Sequence, residues 1–270
     1  MQKMHDFMPA LSSISAAADR RAWLVACLLA PLAVKAQEQV RIKIAAASNL
    51  KFVLADLVAQ YRKQTGIQVE VNFGASGNLS RQILQGLPVE QFISADEDRV
   101  VELAKAGRTV DAGQRYATGR LALIVPKNSA LPLAKGLVAV VQSLKPGDKF
   151  AIANPALAPY GSAAEEILQR SGLAPQLAAQ KVLGDNIGQA TQFVATGAAQ
   201  AGVTALALAT APEMASVLQV LPLSDKLHTP LHQRMVLLRG ASPAAVSWHQ
   251  FLLSPQAQAV FVRHGYALPQ

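Results

Sequence analysis

Four short segments set Ser, Asn, Tyr or Gly where a strand-like pattern gives way to a helical one. They are Ala47-Ser48-Asn49-Leu50, Ala75-Ser76-Gly77-Asn78, Pro159-Tyr160-Gly161-Ser162 and Asp185-Asn186-Ile187-Gly188. A helix that opens at such a turn presents unpaired N–H groups and the positive end of its dipole, so it can hold an anion without Lys or Arg. Gly77, Gly161 and Gly188 allow a backbone to come close to a ligand. Ser48 and Ser76 add hydroxyl donors, although each taken alone is equally a helix N-cap. Asn49 has a plain reading as a polar residue of a first turn, and Tyr160 as an apolar wedge with its hydroxyl in water. Ile187 packs its side chain whatever its N–H does.

Other chemistries find little support. Gly74-Ala75-Ser76-Gly77 resembles a nucleophile elbow, but its second glycine comes one place early for G-x-S-x-G, and no His or acid is spaced to serve the serine. His228 and His232 have i,i+4 spacing, yet Pro230 between them breaks a shared helix face. No HExxH or Cys-based pattern exists, so neither a metal-cation site nor a catalytic residue is expected. Asp96-Glu97-Asp98 reads as the acidic start of a helix, and Arg81, Arg99 and Arg120 as surface residues. The net charge is +8, but the basic residues are scattered singly, which argues against a nucleic-acid stripe.

The elements that must position the four turns alternate between period two and period 3.6. Val40 to Ile44 and Ile67 to Phe73 read as strands, and the helix between them carries Leu50, Val53, Leu54, Leu57, Val58 and Tyr61 before Gly66 ends it. Phe92 to Ser94, Leu121 to Val125, Phe150 to Ile152, Val182-Leu183, Ala201 to Thr204, Val217 to Leu221 and Met235 to Leu238 are further strands, with helices between most of them. Pro243 and Pro255 open two terminal helices. Such alternation predicts an α/β fold with sheets covered on both faces, and open α/β sheets bind ligands beyond the carboxyl ends of their strands. No low-complexity linker separates two halves, so the strands at 121–126 and 235–238 are the expected crossings between lobes.

The first residues read as a leader rather than as part of the fold. Arg20-Arg21 precede the apolar run Ala22 to Val34, and Val34-Lys35-Ala36 supplies a cleavage site, giving a signal peptide over 1–36. The run falls short of the about 20 residues of a membrane span. The paired arginines faintly resemble a twin-arginine signal, and Leu24-Val25-Ala26-Cys27 a lipoprotein box. Cleavage after Ala36 removes the sole cysteine and leaves a soluble chain, which at about 230 residues can build a core without disulfides.

In order along the chain stand Ile44-Ala-Ala-Ala-Ser48-Asn49, Phe73-Gly-Ala-Ser76-Gly-Asn-Leu79, Phe92-Ile-Ser-Ala-Asp96, Tyr116-Ala-Thr-Gly-Arg-Leu121 and Asn154-Pro-Ala-Leu-Ala-Pro-Tyr160-Gly161. Together they resemble the molybdate-binding proteins of bacterial ABC transporters, from about Val40 to the C-terminus. The resemblance implies a two-lobed type II periplasmic binding protein, with lobe 1 formed by 37–122 plus 232–270 and lobe 2 by 123–231. It implies no enzyme and no cofactor. It implies a monomer in the periplasm that binds molybdate or tungstate as an oxyanion and serves an ABC permease and its ATPase. Carried over, Ser48, Asn49, Ser76, Tyr160 and Ile187 hold the oxyanion, Ile187 through its N–H. Some members have a tyrosine in the segment that here reads Val203-Thr204-Ala205, so Tyr160 is expected to supply the phenol that Ala205 lacks. Gln91 stands where an acid is frequent. Another small anion such as sulfate, or an anion sensor without a transporter, is the alternative.

Overall fold

In the computed structural model, residues 40–269 are described; the expected leader, with Arg20, Arg21, Cys27 and Ala36, lies outside them. The first half builds β1 (Arg41–Ala47), α1 (Lys51–Thr65), β2 (Gln68–Gly74), α2 (Ser76–Leu84), β3 (Gln91–Ile93), α3 (Asp98–Lys105) and β4 (Gln114–Gly119). The chain then forms β5 (Leu121–Pro126), α4 (Leu137–Gln142), β6 (Phe150–Ala153), α5 (Pro159–Arg170), α6 (Ala174–Leu177), β7 (Lys181–Gly184) and α7 (Ile187–Ala195). It continues through β8 (Ala201–Ala205), α8 (Leu206–Ala209), α9 (Pro212–Ala215) and β9 (Leu218–Pro222), and ends with β10 (Leu231–Leu237), α10 (Pro243–Leu252) and α11 (Pro255–Arg263).

Two five-stranded sheets result, ordered β2-β1-β3-β10-β4 and β7-β6-β8-β5-β9. They share one plan. In the first, β1 is parallel to β2 and β3, and β10 runs antiparallel to β3 and β4. In the second, β6 is parallel to β7 and β8, and β5 runs antiparallel to β8 and β9. The central strands are apolar on both faces because helices cover both. Along β5, Leu121, Leu123 and Val125 enter one apolar cluster, while Ala122 and Ile124 enter another on the opposite face. The first of these clusters also takes in Ile42, Ile44 and Ala46 of β1, so apolar packing is continuous between the lobes. Gly66 closes α1 in the left-handed region at φ 74°, where a side chain would be strained.

The lobe crossings correct the sequence expectation. β5 and β10 do not cross; each lies within one sheet, because a strand flanked by two ladder partners has no free edge to carry into another sheet. The chain passes between sheets at Arg120, between β4 and β5, and again between β9 and β10 at residues 223–230. Leu121 and Ala122 pair with Ala205 and Thr204, so the second lobe begins at residue 121, and Leu231, paired with Gly119, already belongs to the first. Neither β4 nor the helix α4 was among the elements expected from the sequence. Pro230 does break the His228/His232 register, and His232 sits in strand β10.

Gln91, the departure noted above, has a structural role. Its amide Nε2 lies 2.9 Å from Nδ1 of His249, which burial holds below the usual histidine range. An amide can donate to that neutral imidazole. No helix among the described residues is long and apolar enough to cross a membrane.

Candidate functional site

All four turns lie where sheet topology requires, at the carboxyl ends of the parallel strands. Ser48 follows β1 and opens a 3-10 turn, Ser76 is the first residue of α2 after β2, Tyr160 is the second residue of α5 beyond β6, and Ile187 starts α7 after β7. Neither serine acts as a helix cap. Ala47 and Ala75 occupy the cap positions, and no side chain bonds there. Elsewhere the chain does cap with side chains, at Asn186, Ser242 and Ser254. The Ser48 and Ser76 hydroxyls are therefore free for other work. Ser76 Oγ accepts from the N–H of Ala95 at 3.0 Å, and Ser48 Oγ from the N–H of Gly188 at 3.3 Å.

The second of those bonds crosses from one lobe to the other. A further crossing bond joins the Gly77 N–H to the Leu157 carbonyl at 3.0 Å. The Ser48 turn therefore faces the Ile187–Gly188 turn, and the Ser76 turn faces the loop that leads into Tyr160. Tyr160 and Ile187 lie in the first turn of their helices, where an N–H has no intrahelical acceptor. Ser48, Asn49, Ser76, Tyr160 and Ile187 are all buried. A cavity of about 330 Å³ opens beside the Ser48–Gly188 contact, walled by Lys51, Phe52 and Phe73 of one lobe and by Asn186, Thr191, Gln192, Leu208 and Met214 of the other. Ser76 and Tyr160 do not line it.

Two of these side chains also bond within the protein. The Asn49 amide Nδ2 donates to Gln233 Oε1 at 3.1 Å and to the Tyr266 hydroxyl at 3.0 Å. The Tyr160 hydroxyl accepts from Gln233 Nε2 at 2.9 Å. Burial pushes this phenol above its usual range and keeps it neutral, and the same holds for Tyr116 and Tyr266. The hydroxyl accepts that bond and keeps its own proton to donate, while the Tyr160 N–H lies in the first turn of α5. Ala205 pairs with Leu121 beside this crossing and is fully buried.

Sequence reasoning missed Gln233 and Tyr266, which carry no motif, and gave no site role to Tyr116, although it opens the Tyr116–Leu121 motif. Lys51 was also missed, although it stands three residues after Ser48, within one helical turn. Among the described residues no group of three or more His, Cys, Asp or Glu side chains is placed to hold a metal ion.

Electrostatics brace the loop after β3. Glu97 pairs with Arg115 of β4 at 2.7 Å and with Arg234 of β10 at 2.6 Å. Hydrogen bonding from Arg115, then from Arg234, outweighs burial and holds the Glu97 carboxyl at about 2. Burial raises the neighbouring Asp96, against the Ser94 hydroxyl and the Arg99 N–H that bond its carboxylate. A depressed carboxyl stabilises fully above its unfolded value, near 4.5, and that contribution is lost as pH falls from there towards about 2. Glu97→Gln is therefore expected to lower the unfolding midpoint at pH 6, with the gap to wild type closing progressively below pH 4.5; a pH series of thermal melts measures it.

A family model described as bacterial extracellular solute-binding protein matches residues 42–267, nearly the whole described chain. This chain belongs to that family. The molybdate-binding protein ModA of Azotobacter vinelandii is 34% identical over 249 residues, covering 91% of this solute-binding protein and 97% of the relative. The molybdate-binding protein ModA of Rhodobacter capsulatus is 35% identical over 228 residues, covering 82% and 86%. Among solved structures, the Azotobacter vinelandii periplasmic molybdate-binding protein superposes with a TM-score of 0.76 at 31% identity, over 85% of this chain and all of that one. The two-lobed type II periplasmic-binding architecture expected from the sequence is the one found.

Proposed function

We propose that this protein captures molybdate, and tungstate with it, between its lobes and passes the oxyanion to the permease and ATPase of an ABC importer. The observation that carries the reading is the facing of helix-opening turns from the two lobes, Ser48 against Gly188 and Gly77 against Leu157. Such turns offer hydroxyl and N–H donors to an anion held between them. The relatives named for molybdate binding supply the ligand. Ser48, Asn49, Ser76, Tyr160 and Ile187 form the donor set, with Asn49, Tyr160 and Ile187 contributing N–H groups. None of the five is ionised, so the empty site buries no fixed charge. Hydrogen bonds to a charged ligand are strong enough that a handful suffice. Molybdate, tungstate and sulfate are all dianions, so size must separate them; a donor ring set for the larger ions leaves donors unpaired around a smaller one, at about 1–3 kcal/mol each.

Periplasmic residence, with export by the leader ending at Ala36, belongs to the same proposal, as does action as a monomer without catalysis. Isothermal titration with molybdate, tungstate, sulfate and phosphate tests it. Heat on molybdate and tungstate but not on phosphate is expected. No response to molybdate or tungstate sinks the ligand assignment, and a preference for sulfate replaces it.

A further inference from the structure

The buried amide of Gln233 sits where the two lobes and two of the proposed ligand turns meet. It is fully buried in β10, at an irregularity in the pairing of β10 with β4 between Gln233 and Arg234. An amide placed there costs stability unless its polar atoms are bonded. Its Oε1 accepts from Asn49 Nδ2 at 3.1 Å and from the Tyr116 hydroxyl at 2.6 Å, and its Nε2 donates to the Tyr160 hydroxyl at 2.9 Å. Asn49 belongs to the turn after β1 in the first lobe. Tyr160 opens α5 in the second. One side chain thus joins both turns directly. The position is also the crossing itself: a Cβ at Gly119, the residue before Arg120, would collide with both Gln233 Nε2 and the Tyr160 hydroxyl. Glycine there is what lets the tie form against the backbone that passes between lobes.

We infer that Gln233 is a positioning residue for the oxyanion site, tying the Asn49 turn to the Tyr160 turn and so setting the angle between the lobes. It touches no ligand. A core amide serving only local packing would affect stability alone, whereas a tie across the crossing sets interlobe geometry even with no anion present. The affinity part of the test rests on the molybdate reading above, and the distance part does not.

Spin labels at Val101→Cys in α3 and Val138→Cys in α4, both exposed and one on each lobe, in a Cys27→Ser background, report the interlobe distance by double electron–electron resonance. Gln233→Leu is expected to broaden the anion-free distance distribution towards longer values. It is also expected to raise the molybdate dissociation constant on the order of tenfold, through faster dissociation. An unchanged distribution overturns the tie. If Gln233→Leu does not fold, Tyr160→Phe cuts the same tie while keeping the ring and the N–H: broadening supports the inference and an unchanged distribution overturns it. If wild-type protein takes up no molybdate, the proposed function fails, and the distance measurement still decides the role of Gln233.

Discussion

The double variant Ser48→Ala, Ser76→Ala is expected to lose molybdate affinity by about two to four orders of magnitude, from two hydrogen bonds to a charged ligand at ~1.5–3 kcal/mol each. Both hydroxyls are free of helix capping, which is what makes the experiment clean: removing them leaves the helix openings intact. The fold loses less. Ser76→Ala orphans the buried N–H of Ala95, at about 1–3 kcal/mol. Ser48→Ala frees the Gly188 N–H beside a cavity, where water can meet it. Titration calorimetry reads the affinity, and a thermal melt of the same sample shows that the fold persists. Wild-type affinity in the double variant would remove both serines from the donor set.

The second large effect concerns Gly161, directly after Tyr160. A Cβ there would overlap the Ala153 carbonyl and stand 2.9 Å from the Asn154 carbonyl carbon. Both are backbone atoms at the end of β6, so no side chain can swing aside. The opening of α5 must then lift off the sheet, carrying the Tyr160 N–H and hydroxyl with it. Gly161→Ala is expected to destabilise by about 1–3 kcal/mol, as overpacking does, and to abolish measurable molybdate binding at concentrations that saturate wild type. Thermal melts and titration measure the two effects. A variant that melts lower but binds normally would show that the position of α5 does not matter to the ligand.

Both predictions start from residues that are legible in the sequence. Ser48, Ser76 and Gly161 were visible in the sequence because each stands where a strand pattern meets a helical one, and that junction has a local signature in residue type. The alternation of β and α, the turns at the strand ends and the exclusion of metal-cation and nucleophile motifs came from the same short-range information. The crossings did not. Whether an apolar strand such as β5 spans two lobes or sits inside one depends on its ladder partners, β8 and β9, which lie about 80 and 95 residues further on. Nor did the sequence disclose where the Asn49 and Tyr160 side chains point.

By itself, then, the sequence determined the α/β build, the four helix-opening turns and the residue types at them, because backbone period and helix entry are set by neighbours within a few positions. Only the tertiary structure decided which turns face each other, that Ser48 meets Gly188 and Gly77 meets Leu157 across the lobes, and that the Tyr160 hydroxyl belongs to Gln233. Gln233 shows why. Its partners at 49, 116 and 160 are brought together only when two sheets have formed and the chain has crossed between them at Arg120. A glutamine between His232 and Arg234 carries no local pattern that would reveal this.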